Sequence, residues 1–233
     1  MPFYDMHVHT NLSIGEDSVE EMANFAKRLG LSGIAIVRYY THQKLSELPK
    51  IDSIELINAA MIKPNSAEEL ASLAGKIRND VEMLVVHGGD YDVNRAACEN
   101  SMVDILAHPE LGRKDSGLDH ICAKAARENN VAVEVNFREV LESYKKRRVF
   151  VLSAIKRNIK LCRNYDVKII TTSGAVNRWG LRSGRELAAI SNLLGMDLGI
   201  AIDSVSTVPE EILRVNREKL AGTRWEGVSV VEE

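Results

Sequence analysis

The chain has 233 residues, of which 45% are hydrophobic, 27% charged and only 5% aromatic; this is an ordinary globular balance, long enough to bury an aliphatic core without disulfides or metals. Its three cysteines, Cys98, Cys122 and Cys162, form no C-x-x-C pair, which argues against a disulfide framework and a cysteine zinc site and fits free thiols in a reducing compartment. The formal charge of −3 excludes a uniformly basic protein, yet Arg138 to Arg185 hold 13 Lys/Arg against Glu139, Glu142 and Asp166, a net +10 that leaves −13 elsewhere.

In chain order, short apolar runs alternate with helical patterns. The predicted strands are Phe3–His7, Gly33–Val37, Ile54–Ala60, Met83–His87, Ile105–Ala107, Ala132–Asn136, Lys168–Thr172 and Leu198–Ile202. Several are continuously apolar, as in a parallel sheet covered on both faces. Ser18 with Glu21, Ser66 with Glu69, Ser183 with Glu186 and Thr207 with Glu210 have capping-box spacing at helix starts, and Gly30 and Gly195 follow helical runs as C-caps. Eight strands separated by helices predict a single domain over residues 1–233, a TIM-like (β/α)8 barrel; an open doubly wound sheet is the alternative. Asp5, His7 and His9 interrupt any signal-peptide pattern, and no apolar run approaches membrane-spanning length, so a cytoplasmic protein without membrane contact is expected.

A barrel works at the C-terminal ends of its strands. There the predicted strands gather His7, His9, Arg38, His42, His87, His108, Asn136, Arg138, Ser173 and Arg178. His7 and His9, at i and i+2, point the same way from an extended chain, and His108 before Pro109 could supply a third metal ligand. Glu134 and Asn136 alternate on a further strand.

These pieces resemble the polymerase-and-histidinol-phosphatase (PHP) metallophosphoesterases, a barrel family opening with H-x-H. The resemblance implies an Asp-His pair after the second strand, where this sequence has Arg38-Tyr39, and an Asp-x-His motif late in the chain, where it has Ser173-Gly174-Ala175-Val176. A multinuclear centre needs carboxylates to balance its cations, and Arg38 would put positive charge in their place. No metal is expected here, and His7, His9 and His108 read as vestigial ligands. The competing reading is a metal-dependent phosphoesterase acting on a small phosphorylated substrate.

The segment from Tyr144 to about Tyr165 reads as one helix with Val151, Leu152, Ile155, Ile159 and Cys162 on its buried face. Lys145, Lys146, Arg147 and Arg148 are four successive like charges, and Lys156 and Lys160 continue a cationic stripe. A charge run is usually a solvated helix face, but here almost no acids are interspersed. Asn177 to Arg185 adds Arg178, Arg182 and Arg185, with Trp179 as a candidate for stacking on an unpaired base or for packing on the barrel end. With Arg138, these residues are the predicted phosphate contacts.

The stretches Val133–Arg138, Lys146–Leu152, Tyr165–Val167, Val86–Asp90, Thr172–Ala175, Leu181-Arg182 and Ser206–Glu211 resemble the archaeal ribonuclease P protein component 3 family, relatives of the thirty-kilodalton eukaryotic subunit. The resemblance implies a barrel subunit of the enzyme that removes the 5′ leader of precursor tRNA. It also implies that the RNA carries the chemistry with divalent metal such as Mg, while this chain is non-catalytic and needs no cofactor. Its implied partners are ribonuclease P RNA, precursor tRNA and ribonuclease P protein component 2, the last in a two-plus-two assembly.

Overall fold

A computed structural model describes residues 1–52, 54–225 and 228–229, with side chains described as far as Thr223; the remaining end of the predicted 1–233 domain lies outside the described residues. Seven parallel strands run in sequence order: β1 Tyr4–Val8, β2 Gly33–Tyr39, β3 Glu55–Ile62, β4 Met83–His87, β5 Ile105–Ala107, β6 Ala132–Asn136 and β7 Ile169–Thr172. Between and after them lie α1 Val19–Arg28, α2 Ala67–Ile77, α3 Tyr91–Cys98, α4 His120–Glu128, α5 Phe137–Glu142, α6 Lys145–Asn164, α7 Gly184–Leu193, α8 Leu198–Asp203 and α9 Thr207–Leu220. A short antiparallel pair, β8 Arg224–Trp225 and β9 Val228–Ser229, follows.

The expected eighth strand is the helix α8. Leu198-Gly-Ile-Ala-Ile is apolar at nearly every position, and such a run has no period that separates strand from helix. The barrel comes nearly closed without it. Val8 and Ala175 form a parallel bridge, and His9 N–H donates to the Ala175 carbonyl at 2.8 Å. Toward the other end, Tyr4 N–H donates to Val205 O at 2.8 Å and Thr171 N–H to Ser204 O at 3.2 Å, so Ser204-Val205 wedges the seam between β1 and β7.

The sheet separates two apolar layers. Inside the barrel pack Met6, Val37, Ala59, Met83, Val85, Ile105 and Ile170, with Ile212 and Leu213 of α9 joining from below. Outside, strand residues such as Leu84, Leu106 and Val133 pack against Leu73, Ala126, Ile155 and Ile159 of the helices. The register of β1 shifts against β2 between Asp5 and Val8. An inserted residue inverts the in–out alternation, so Val8 faces the outer layer with Ile36 while His7 and His9 turn into the barrel.

Ser18–Glu21 and Ser183–Glu186 form complete capping boxes. Ser66 caps α2 alone, because Glu69 reaches Asn65 instead. Thr207 is not a cap: it is the first residue of α9, and its hydroxyl bonds Asp203 at 3.0 Å. Gly30 and Gly195 both take positive φ after their helices, as expected of C-caps.

Candidate functional site

At the barrel mouth four imidazoles meet over one carboxylate. Glu134, fully buried on β6, lies 2.6 Å from His7 Nδ1, accepts from the Thr172 hydroxyl at 2.6 Å, and accepts from His108 N–H at 3.0 Å. His9 Nδ1 donates to Val37 O at 2.9 Å, so its Nε2 accepts from His7 Nε2 at 3.0 Å. Both nitrogens of His7 therefore face acceptors. His108 stacks on His7 at 6.0 Å and meets His87 edge-on at 4.5 Å, and His87 Nδ1 is 3.0 Å from the Tyr39 hydroxyl.

Burial decides the charge states. Desolvation, followed by the nearby His7, lowers His9 to about 3. Desolvation also lowers His108 to about 3 and His87 to about 4. Burial alone would raise Glu134, but the charge and hydrogen bond of His7, with His108 and Thr172, bring it down to about 2. Asp5 goes the other way: burial raises it to about 6 against hydrogen bonds from Ser173 and His7.

The donor set does not fit a multi-metal centre. Both oxygens of Glu134 are engaged within the protein. Among the described residues, no group of three or more His, Cys, Asp or Glu side chains is placed to hold a metal ion. The expected position of Arg38 needs correction, since it does not face this cluster. Its guanidinium turns outward to Ser46 O at 2.6 Å and Asn58 Oδ1 at 2.5 Å. The next residue, Tyr39, takes the inward place and stacks on His9 at 5.9 Å. His42 is likewise away from the mouth, exposed beside Tyr40. Sequence reasoning missed Tyr39 and Thr172; the alternation of β2 about Val37 carried the signal for the first.

The predicted phosphate contacts are not equivalent. Six of the ten lie on α6, whose first turn is Lys145 to Arg148, all exposed. Its N-cap, Tyr144, makes no side-chain capping bond, and its first turn has no acid. Arg148 anchors the corner by donating to Ser143 O at 2.6 Å. Further along, Lys156 and Lys160 line a groove of about 650 Å³ against Leu194 and Gly195, where Arg163 is already paired with Asp197. Arg182 sits over the Phe137 ring at 5.2 Å and bonds two carbonyls, and Arg185 is exposed on α7.

Two of the ten are internally neutralised. Arg138 pairs with Glu142 at 2.7 Å. Arg178 bonds Asp17 at 2.8 and 3.0 Å and Glu21 at 2.6 Å. The other eight have no carboxylate within 4.0 Å among the described residues. Trp179 is 73% exposed and meets Phe25 edge-on at 5.5 Å. On the predicted buried face of α6, Ile155, Ile159 and Cys162 are buried, joined by Asn158, while Val151 and Leu152 are half-buried.

Comparison with known proteins fits this architecture. The barrel superposes on a histidinol phosphate phosphatase from Lactococcus lactis with a TM-score of 0.56 over 84% of this chain and 94% of that one, at 11% identity; this likeness shows the fold alone. It superposes on a chain of the cryo-EM structure of archaeal ribonuclease P with mature tRNA with a TM-score of 0.78, 27% identity and 98% coverage of both. Ribonuclease P protein component 3 of Methanosarcina mazei is 39% identical over 232 residues, 99% of this chain and 96% of that protein. Its counterpart from Methanothermobacter thermautotrophicus is 31% identical over 243 residues, covering 100% and 97%. The family model for RNase P subunit p30 matches residues 2–221, and the chain belongs to this family of ribonuclease P protein subunits.

Proposed function

We propose that this chain is an RNA-binding, non-catalytic subunit of ribonuclease P that assists removal of the 5′ leader from precursor tRNA. The observation that carries this reading is the first turn of α6: four exposed, consecutive cations without a carboxylate partner among the described residues. Four like charges repel one another unless a polyanion meets them, and each phosphate they neutralise releases counterions. The uncapped amides of a 20-residue helix add partial positive charge at the same place. Lys156, Lys160, Arg182 and Arg185 extend the surface, with ribonuclease P RNA and precursor tRNA as its partners. Arg138 and Arg178 serve chiefly to hold the rim through their own carboxylates.

In this reading the RNA of the holoenzyme, with Mg, carries the cleavage; what supports it at the mouth is that both oxygens of Glu134 are engaged by His7, Thr172 and the His108 backbone N–H. A complex with ribonuclease P protein component 2 in the cytoplasm completes this reading. Its test is precursor tRNA cleavage by a ribonucleoprotein reconstituted with a Lys145→Glu/Lys146→Glu chain. Cleavage should collapse at moderate salt while the variant stays folded; wild-type cleavage would overturn the assignment.

A further inference from the structure

Resting on the RNA-binding reading, we propose that the cavity between the loop after β5 and the start of α6 receives one unpaired nucleotide of single-stranded RNA, its base edge on Glu110 and its ring face on Phe150. The cavity measures about 410 Å³, and Glu110, Arg113, Glu139, Arg147, Phe150 and Val151 line it.

Three features of different chemistry converge there. The first is Glu110. Its side chain is only 4% exposed, and neither carboxyl oxygen has a hydrogen-bond partner. A buried polar group without a protein partner is costly, and native structures meet such a group with water, an ion or a ligand; the cavity beside Glu110 leaves room for one. Burial pushes Glu110 up to about 8, so at neutral pH it carries its proton and offers one donor beside one acceptor. A base edge presents the same pair in complementary order.

The second feature is Phe150. It is 61% exposed on the first turns of α6, next to half-buried Val151. An aromatic face open to solvent beside a hydrogen-bonding floor is the arrangement on which unpaired bases stack.

The third is the rim. Arg147 has no carboxylate within 4.0 Å among the described residues, its charge acting at longer range on Glu139, and it is flanked by Lys146 and Arg148 at the uncapped start of α6. Arg113, on the opposite wall, is neutralised by Asp115 at 2.6 Å and donates to Gly89 O at 3.0 Å. The rim attracts the phosphate of a nucleotide. It repels a lysine or arginine from a protein partner, the other guest that Glu110 and Glu139 could satisfy.

The test measures affinity of the full chain for a single-stranded 12-mer of uridine and for a 12-base-pair RNA duplex at the same salt. Phe150→Ala should weaken single-strand binding about tenfold and leave the duplex unchanged. Glu110→Ala should do the same, whereas Glu110→Gln, whose amide keeps one donor and one acceptor, should retain wild-type binding. If Phe150→Ala and Glu110→Ala leave the single strand unaffected, or weaken both RNAs equally, the pocket assignment falls while the RNA-binding reading stands. If the wild type binds neither RNA, that broader reading fails first and takes the pocket with it. If Glu110→Ala spares the oligomer but strips a protein subunit from the reconstituted ribonucleoprotein, the cavity holds a cationic side chain and the proposal is overturned.

Discussion

Reversing Lys145 and Lys146 to Glu isolates the electrostatic term of RNA binding from the stability of the fold. Both side chains are exposed, and among the described residues neither is engaged by a carboxylate. They occupy the first turn of α6, where acids interact favourably with the helix dipole. The variant should therefore melt at or slightly above the wild-type temperature. Binding changes in the opposite sense. Each phosphate contact contributes about −0.7 to −0.9 to the slope of log affinity against log salt concentration. If the four cations of this turn each meet a phosphate, they supply a slope of about −2.8 to −3.6, and removing two makes it shallower by about 1.4 to 1.8. The assay is fluorescence anisotropy with ribonuclease P RNA across about 50–200 mM salt, the window in which such slopes are resolved. An unchanged slope would refute the placement of phosphates at this turn. Arg178→Gln is the matched control: its charge is already taken by Asp17 and Glu21, so it should lower the melting temperature but leave the slope alone.

The mouth gives further predictions. His9, His108 and His87, ordinarily near 6.5, are depressed by burial to about 3, 3 and 4, so their contribution is present above 6.5 and drains away as pH falls through that range. Asp5 and Glu110, raised to about 6 and 8, contribute stability that is complete below their ordinary values and is lost as pH rises through those raised ones. From about pH 6.5 to 4.5 the three histidines outweigh the two opposing acids, and below that Glu134, depressed to about 2, joins the histidines. Denaturant midpoints should slip gradually below about pH 6.5 and fall steeply below about 4.5; a flat profile down to about pH 3.5 contradicts these assignments. Gly174→Ala should cost about 1–2 kcal/mol from its positive φ alone, and more because a Cβ there strikes the Asn136 amide; equilibrium unfolding measures it. Elemental analysis of the purified chain should find no stoichiometric zinc, manganese or iron, and a bound equivalent lost in His9→Ala would contradict the occupied state of Glu134.

The seven strands were legible because each is a β-branched or apolar run bracketed by polar turns, as in Met83–His87 and Ala132–Asn136. The eighth was not, because Leu198 to Ile202 carries no period and its backbone pairing is decided by the seam beside Val205. At the mouth, H-x-H announced His7 and His9 correctly as neighbours facing one way. The bulge in β1 that turns them inward depends on pairing with β2, which no local pattern records. Arg38 was misplaced for the same kind of reason. One residue of register separates the outer face, where it bonds Asn58, from the inner face that Tyr39 occupies. The cations of α6 were visible as a run, but which of the ten are neutralised depends on Asp17, Glu21 and Glu142, two of them more than 150 residues away from Arg178.

The wedge of Ser204-Val205 between the first and last barrel strands has a consequence for how the molecule is made. The segment that seals the seam, and the α9 residues Ile212 and Leu213 that floor the interior, come about 200 residues after β1 in the chain. Their contacts with Tyr4 and Met6 span about 200 residues, and such long loops close late. On the ribosome the strands can therefore line up in order as they emerge, yet the Tyr4 end of the seam stays open until Ser204-Val205 has emerged. A nascent chain halted before Ser204 leaves the Tyr4 end of β1 with an unpaired edge, a ready target for chaperones.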